Sequence, residues 1–136
     1  MPTMMRPRFH LLTTVFFALL IMTETAQSAN VSIQKYPDVV SVKAHARGAD
    51  KFDFDVTVSS PYDTPQRYAD AFRAIDKDGT VLGVSKLFHD HATEQPFTRD
   101  LYGVSIPAHV HTVVIQAKDQ RYGYGGKTVE IALPGR

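Results

Sequence analysis

The sequence predicts an all-β protein, a seven-stranded antiparallel β-sandwich that follows an N-terminal signal peptide. Three observations indicate this fold. The first 28 residues differ in composition from the rest of the chain, and beyond them apolar residues recur at every second position. Clusters of glycine, proline and aspartate separate the apolar runs. A period of two is typical of strands with one buried face, and no segment shows the period of an amphipathic helix.

The N-terminus has the three parts of a secretory signal peptide. Arg6 and Arg8 precede twelve mostly apolar residues at positions 11–22, and small residues follow. Because a membrane span needs about 20 apolar residues, we expect cleavage after Ser28, or after Ala29, rather than an uncleaved anchor. The protein is then periplasmic or secreted, without stable membrane insertion. Residues 1–28 form the signal peptide, 29–37 a short N-terminal segment and 38–136 the sandwich domain.

Charge and cysteine content exclude several classes of function. Without residues 1–28 the chain keeps thirteen basic and thirteen acidic side chains, so it lacks the basic surface that nucleic acid binding requires. About 108 residues build one domain, which we expect to be a monomer. The absence of cysteine rules out disulfides, thiolate metal ligands and cysteine nucleophiles.

The seven strands follow in order. In the first, Val40, Val42 and Ala44 alternate. The second is the clearest, with four apolar residues from Phe52 to Val58 facing inward and Asp53, Asp55 and Thr57 facing solvent. The others are predicted at 67–75, 80–88, around 99–106, 110–117 and 127–133. Residues 76–79, Asp-Lys-Asp-Gly, lie between two strand patterns and predict a hairpin turn. They resemble the start of a calcium loop, but the later ligands of such a loop are missing.

Residues 107–119, PAHVHTVVIQAKD, resemble the sixth strand of fibronectin type III and related immunoglobulin-like domains. The shared features are a proline turn, alternating apolar residues and Ala-x-Asp before a loop. His111 stands where those domains usually have a tyrosine. The resemblance implies an immunoglobulin-like β-sandwich and carries no activity with it.

The alternating direction of the strands predicts where the histidines lie. The loops at 59–66, 88–97 and 119–126 should share one end of the sandwich, which we call the pole. His109 and His111 should lie about 33 Å away at the other end, since each strand residue advances about 3.3 Å. We expect His111 to point inward in register with Val113. His109, with His45 nearby, is a weak candidate metal site.

His89 and His91 are the stronger candidates for metal binding. With Asp90 and Glu94 they place two imidazoles and two carboxylates in six residues, a ligand set suited to Cu or Zn. Two other interpretations stay open for this loop: a solvated connection that Phe97 anchors in the core, or part of a binding surface.

The other two loops of the pole carry side chains typical of recognition surfaces. Tyr62 lies between two prolines, and Arg121, Tyr122 and Tyr124 lie among glycines that alternatively serve only to close a turn. We therefore expect a binding domain and not an enzyme, whose ligand is an envelope or extracellular protein or a small molecule. No cofactor is expected. The alternative is an envelope Cu or Zn protein that uses His89, His91 and Glu94.

Overall fold

The structure, a computed structural model, describes Met4 and residues 33–136. It confirms an all-β fold of seven antiparallel strands in two sheets, and the described residues contain no helix. The strands are β1 (Asp38–Ala46), β2 (Lys51–Ser59), β3 (Ala69–Ile75), β4 (Val81–Lys86), β5 (Phe97–Ser105), β6 (Thr112–Asp119) and β7 (Gly123–Ala132). The predicted signal peptide, apart from Met4, and its cleavage site lie outside the described residues.

The strands form a three-stranded sheet of order β1-β2-β5 and a four-stranded sheet of order β4-β3-β6-β7. Successive strands run in opposite directions, and the chain crosses between the sheets after β2, β4 and β5. Connections 60–68, 87–96 and 120–122 therefore lie at one end, the predicted pole. Connections 47–50, 76–80 and 106–111 lie at the other end. In the described part of the chain, no helix has the length and apolar character needed to cross a membrane.

The core lies between the two sheets and is built from alternate residues of each strand. Phe54, Phe72, Phe97 and Ile115 are at most 1 % exposed. Burying one such side chain contributes roughly 1.5–3 kcal/mol, so apolar burial alone can hold a domain that has no disulfide. The inward residues of β2 are the four predicted from its alternation.

Two solvent-exposure predictions were wrong because β-bulges change the alternation. A bulge between Val39 and Ser41 buries Val39 and leaves Val40 50 % exposed. Asp53 was expected in solvent, yet it is 5 % exposed beside the irregular pairing of β2 with β5. Its carboxylate accepts the Gly103 N–H at 2.8 Å and pairs with Arg47. The predicted Asp76–Gly79 turn is confirmed, with Gly79 at a φ of 82°.

His111 was expected inside the sandwich and is exposed. The Val110 N–H donates to the Pro107 carbonyl in a turn, and Val110 is the buried residue before β6 begins at Thr112. The alternation of β6 therefore does not extend back to His111. His109 is also exposed and lies at the end opposite the pole, as predicted.

The two lateral sides of the sandwich differ. On the β1/β7 side, residues 36 and 37 pack so tightly on β7 that a Cβ at Gly125 would reach the Tyr36 ring and one at Gly126 the Pro37 carbonyl. The Lys127 N–H also donates to Asp38 Oδ1 at 2.8 Å. On the β4/β5 side, the Ser85 hydroxyl donates to the Asp100 carbonyl at 3.1 Å. Exposed Val81, Val84, Phe88 and Tyr102 lie along this second side.

Candidate functional site

Hydrogen bonds hold the connections of the pole together. Asp63 is buried, and its two carboxylate oxygens accept the N–H groups of Ala69 and His91, each at 3.0 Å. The Ser60 N–H donates to Gln95 Oε1 at 2.7 Å. Because these bonds join connection 60–68 to connection 87–96, the predicted convergence of the loops is confirmed. Asp63 therefore has a structural role at the pole.

Asp119 fixes the third connection. Its carboxylate is fully buried, pairs with Arg67 at 3.1 Å from Nε, and accepts the N–H groups of Arg121 and Tyr122 at 2.8 Å each. Burial alone would raise the pKa of Asp119, but the nearby Tyr62 hydroxyl, hydrogen bonds from the two N–H groups, and Arg67 outweigh it and lower that pKa. The residue is therefore ionised at neutral pH.

Arg67 lies between two of the predicted ligand-binding tyrosines. Its guanidinium carbon is 4.2 Å from the centroid of the Tyr62 ring and 4.9 Å from that of Tyr122. Burial, followed by the nearby Asp119 carboxylate, raises the pKa of Tyr62, so its phenol stays protonated. Tyr62 is partly buried, whereas Tyr122 is 44 % exposed. Of these two predicted ligand-binding tyrosines, Tyr62 therefore supports the cluster and Tyr122 is accessible to a ligand.

The N-terminal segment completes this cluster. Lys35 Nζ lies 4.7 Å from the Tyr122 ring centroid, and the rings of Tyr36 and Tyr122 meet edge to face at 6.4 Å. Arg67 Nη2 donates to the carbonyl of Lys35 at 2.6 Å. The sequence interpretation missed these contributors, since it treated residues 29–37 as a short N-terminal segment without a role in binding and Arg67 as the start of a strand. The signal available in the sequence was the presence of two basic residues, Lys35 and Arg67, next to tyrosine-bearing segments.

The two remaining predicted residues of the third connection lie apart. Arg121 is exposed next to Tyr122. Tyr124 was placed in a loop, but β7 begins at Gly123, so Tyr124 is a strand residue. It lies beneath Arg73, whose guanidinium carbon is 3.6 Å from its ring centroid, and burial raises its pKa. The predicted loop 119–126 is therefore reduced to residues 120–122, and its two tyrosines belong to different surfaces.

The histidine pair is asymmetric. His91 is 4 % exposed and its ring stacks on Phe97, with centroids 3.9 Å apart. Burial, and then the nearby Arg99, lowers the pKa of His91. His89 is exposed, with its ring centroid 4.7 Å from that of His91, and its Nδ1 lies 2.8 Å from the Asp90 carbonyl oxygen. Phe97 is 1 % exposed, which confirms its predicted role as the anchor of this connection.

The Glu94 carboxylate forms an ion pair with Arg99. Its two carboxylate oxygens accept hydrogen bonds from Arg99 at 3.1 and 3.0 Å, and these bonds lower the pKa of Glu94. Among the residues that the structure describes, no three histidine, aspartate or glutamate side chains are grouped for a metal ion. Coordination by His89, His91 and Glu94 together would require Glu94 to leave Arg99.

Comparison with known proteins yields one similarity and two negative results. No family model matches the chain, and no solved structure matches it. A "Putative lipoprotein" of Halomicrobium mukohataei is 33 % identical over 94 residues, which are 69 % of this chain and 46 % of that protein. The chain thus spans less than half the length of this curated relative.

Proposed function

We propose that this protein is exported and acts as a non-catalytic, monomeric binding domain of immunoglobulin-like topology. The N-terminal sequence pattern supports export, as does the name of its relative, since a lipoprotein is an exported protein. The sheet orders β1-β2-β5 and β4-β3-β6-β7, with three crossings between sheets, support the immunoglobulin-like topology. The ligand is an envelope or extracellular protein or a small molecule, bound at the pole.

The observation that carries this proposal is an accessible aromatic ring on a fixed backbone. Tyr122 is 44 % exposed, while its N–H is bonded to the buried Asp119 carboxylate at 2.8 Å and two cations flank its ring. A side chain already held in place loses little conformational entropy on binding, and tyrosine provides a large contact area with a polar end. Exposed Arg121 adds guanidinium donors beside the ring.

The charges of the pole support binding over catalysis. The buried carboxylates of Asp63 and Asp119 are engaged with backbone N–H groups, and Glu94 is engaged with Arg99. A general base needs free lone pairs within reach of a substrate. Each of these three acids is engaged by donors of the protein that fix the loops.

Retention of a partner on the immobilised protein tests the proposal. An extract of envelope and secreted proteins from the source organism is passed over wild-type protein, Arg121→Ala/Tyr122→Ala and the control Tyr102→Ala. Tyr102 is a matched control because it is 66 % exposed and lies on β5. We expect a partner retained by the wild type and Tyr102→Ala to be lost with the double variant. Equal retention by all three proteins would place the contact surface elsewhere.

The alternative, Cu or Zn binding, is supported by the 4.7 Å separation of the His89 and His91 ring centroids. Isothermal titration with Cu(II) and Zn(II) compares the wild type with His89→Ala. His89 is exposed, so its loss leaves the core intact. Micromolar binding that disappears in this variant supports the alternative, and an absence of binding heat in the wild type removes it.

A further inference from the structure

A groove on the outer face of the four-stranded sheet has the composition of a ligand site. Its volume is about 480 Å³, and it runs from β3 and β4 toward the pole. Small-molecule sites are typically concave, with apolar and aromatic walls and a few polar groups. Its principal lining residues are Tyr68, Asp70, Lys86, Phe88, Lys118 and Tyr124.

The aromatic walls of the groove are held in place while one ring remains accessible. Phe88 is 82 % exposed, an unusual position for a phenylalanine, and the Tyr68 hydroxyl donates to its carbonyl at 3.4 Å. Tyr124 is fixed by Arg73, which itself donates to Gln116 at 2.9 Å. The groove therefore combines one accessible ring, Phe88, with two tyrosines that contact the rest of the fold, beside the pole.

The polar groups of the groove include both a donor and acceptors. Lys118 Nζ is 3.2 Å from each carboxylate oxygen of Asp70, and both side chains are partly exposed, by 35 % and 22 % respectively. Such a pair can donate to and accept from the hydroxyl groups of one ligand. Lys86 is exposed and, within the described residues, forms no ion pair, so one cation remains at the rim.

We propose that this groove binds a saccharide, with a pyranose ring against Phe88 and its hydroxyl groups directed toward the Asp70–Lys118 pair. A pyranose combines an apolar C–H face with a rim of hydroxyl groups, which matches one exposed ring beside an internal ion pair. An inorganic ion would gain little binding energy from the Asp70–Lys118 pair, because the two charges cancel. A purely apolar ligand would remove water from this pair without replacing its hydrogen bonds, which is unfavourable. This inference goes beyond the proposed function and names a ligand class for the surface next to the pole.

The test uses an oligosaccharide array that contains neutral gluco-, manno- and N-acetylglucosamine oligomers together with oligogalacturonates. Hits are titrated by tyrosine fluorescence, which is free of tryptophan emission because the chain has none. We expect Phe88→Ala and Asp70→Asn each to weaken binding about tenfold, in line with the loss of one aromatic contact or one charge-assisted hydrogen bond. Tyr102→Ala, outside this groove, should change affinity less than about twofold. The exposure of Phe88 makes its substitution compatible with folding.

Two results would overturn the inference: no array member binds, or a bound saccharide keeps its affinity in Phe88→Ala. A preference for galacturonate that Lys86→Gln removes would support the groove and assign Lys86 to the sugar carboxylate. The proposed function fails separately. If Arg121→Ala/Tyr122→Ala still retains every partner while a saccharide binds in a Phe88-dependent way, the pole is not the contact surface but the groove is a site.

Discussion

Substitution of Arg67 by methionine tests whether the cluster beneath Tyr122 holds the pole in shape. The Arg67 side chain is 18 % exposed and Asp119 is fully buried, so the variant leaves a buried carboxylate without its cation. Breaking a buried ion pair from one side costs about 3–5 kcal/mol. Because Asp119 keeps two backbone N–H donors, we place the loss in the free energy of unfolding at the lower end, about 3 kcal/mol.

Urea unfolding followed by circular dichroism measures this loss. With an m-value of about 2 kcal/mol/M for a domain of this size, the midpoint should fall by about 1.5 M. Arg73→Met is the matched control, since Arg73 also stacks on a tyrosine but, among the described residues, pairs with no carboxylate. The control should lose about 1 kcal/mol or less. Equal losses in the two variants would refute the assigned role of the Arg67–Asp119 pair.

Two further predictions concern acid stability and the closed lateral side. The pKa of Asp119 is lowered in the folded state, so its carboxylate stabilises the fold above the unfolded pKa of about 3.9. This contribution disappears as the pH falls through the folded pKa. In thermal unfolding, Asp119→Asn should therefore lose less stability than the wild type as the pH is lowered below about 5. An identical acid slope in both proteins would contradict this. Gly126→Ala should lower the free energy of unfolding by about 3 kcal/mol and Gly79→Ala by about 1 kcal/mol. Both glycines have positive φ, but only at Gly126 would the new methyl group strike a carbonyl, that of Pro37. Similar melting temperatures for the two would show that Pro37 does not pack there.

The sequence predicted the layers of this fold because they depend on local patterns. Phe52 to Val58 alternate without interruption, and the buried face of β2 follows directly from that. Asp76–Gly79 has the chemistry of its turn within four residues. The number of strands follows from the number of alternating runs. The end at which each connection lies then follows from the alternating direction of the strands.

Details that depend on contacts between distant segments were not predictable. The bulge at Val40 arises from the pairing of β1 with β2, and the exposure of His111 from a turn that ends the alternation of β6. In the candidate site, Arg67 joins two tyrosines that are 60 positions apart in sequence, Tyr62 and Tyr122. Nothing in the local sequence around Tyr124 indicates that Arg73 covers it.

The central claim is that connections 60–68, 87–96 and 120–122 form one fixed surface. Because the chain has no cysteine, Arg121→Cys can carry a single nitroxide label, and the broadening of amide signals in NMR spectra then reports distance from that site. We predict strong broadening for Asp63 and His91, and sharp signals for Gly79 and His109 at the opposite end. Sharp signals for Asp63 and His91, or equal broadening at both ends, would contradict the account.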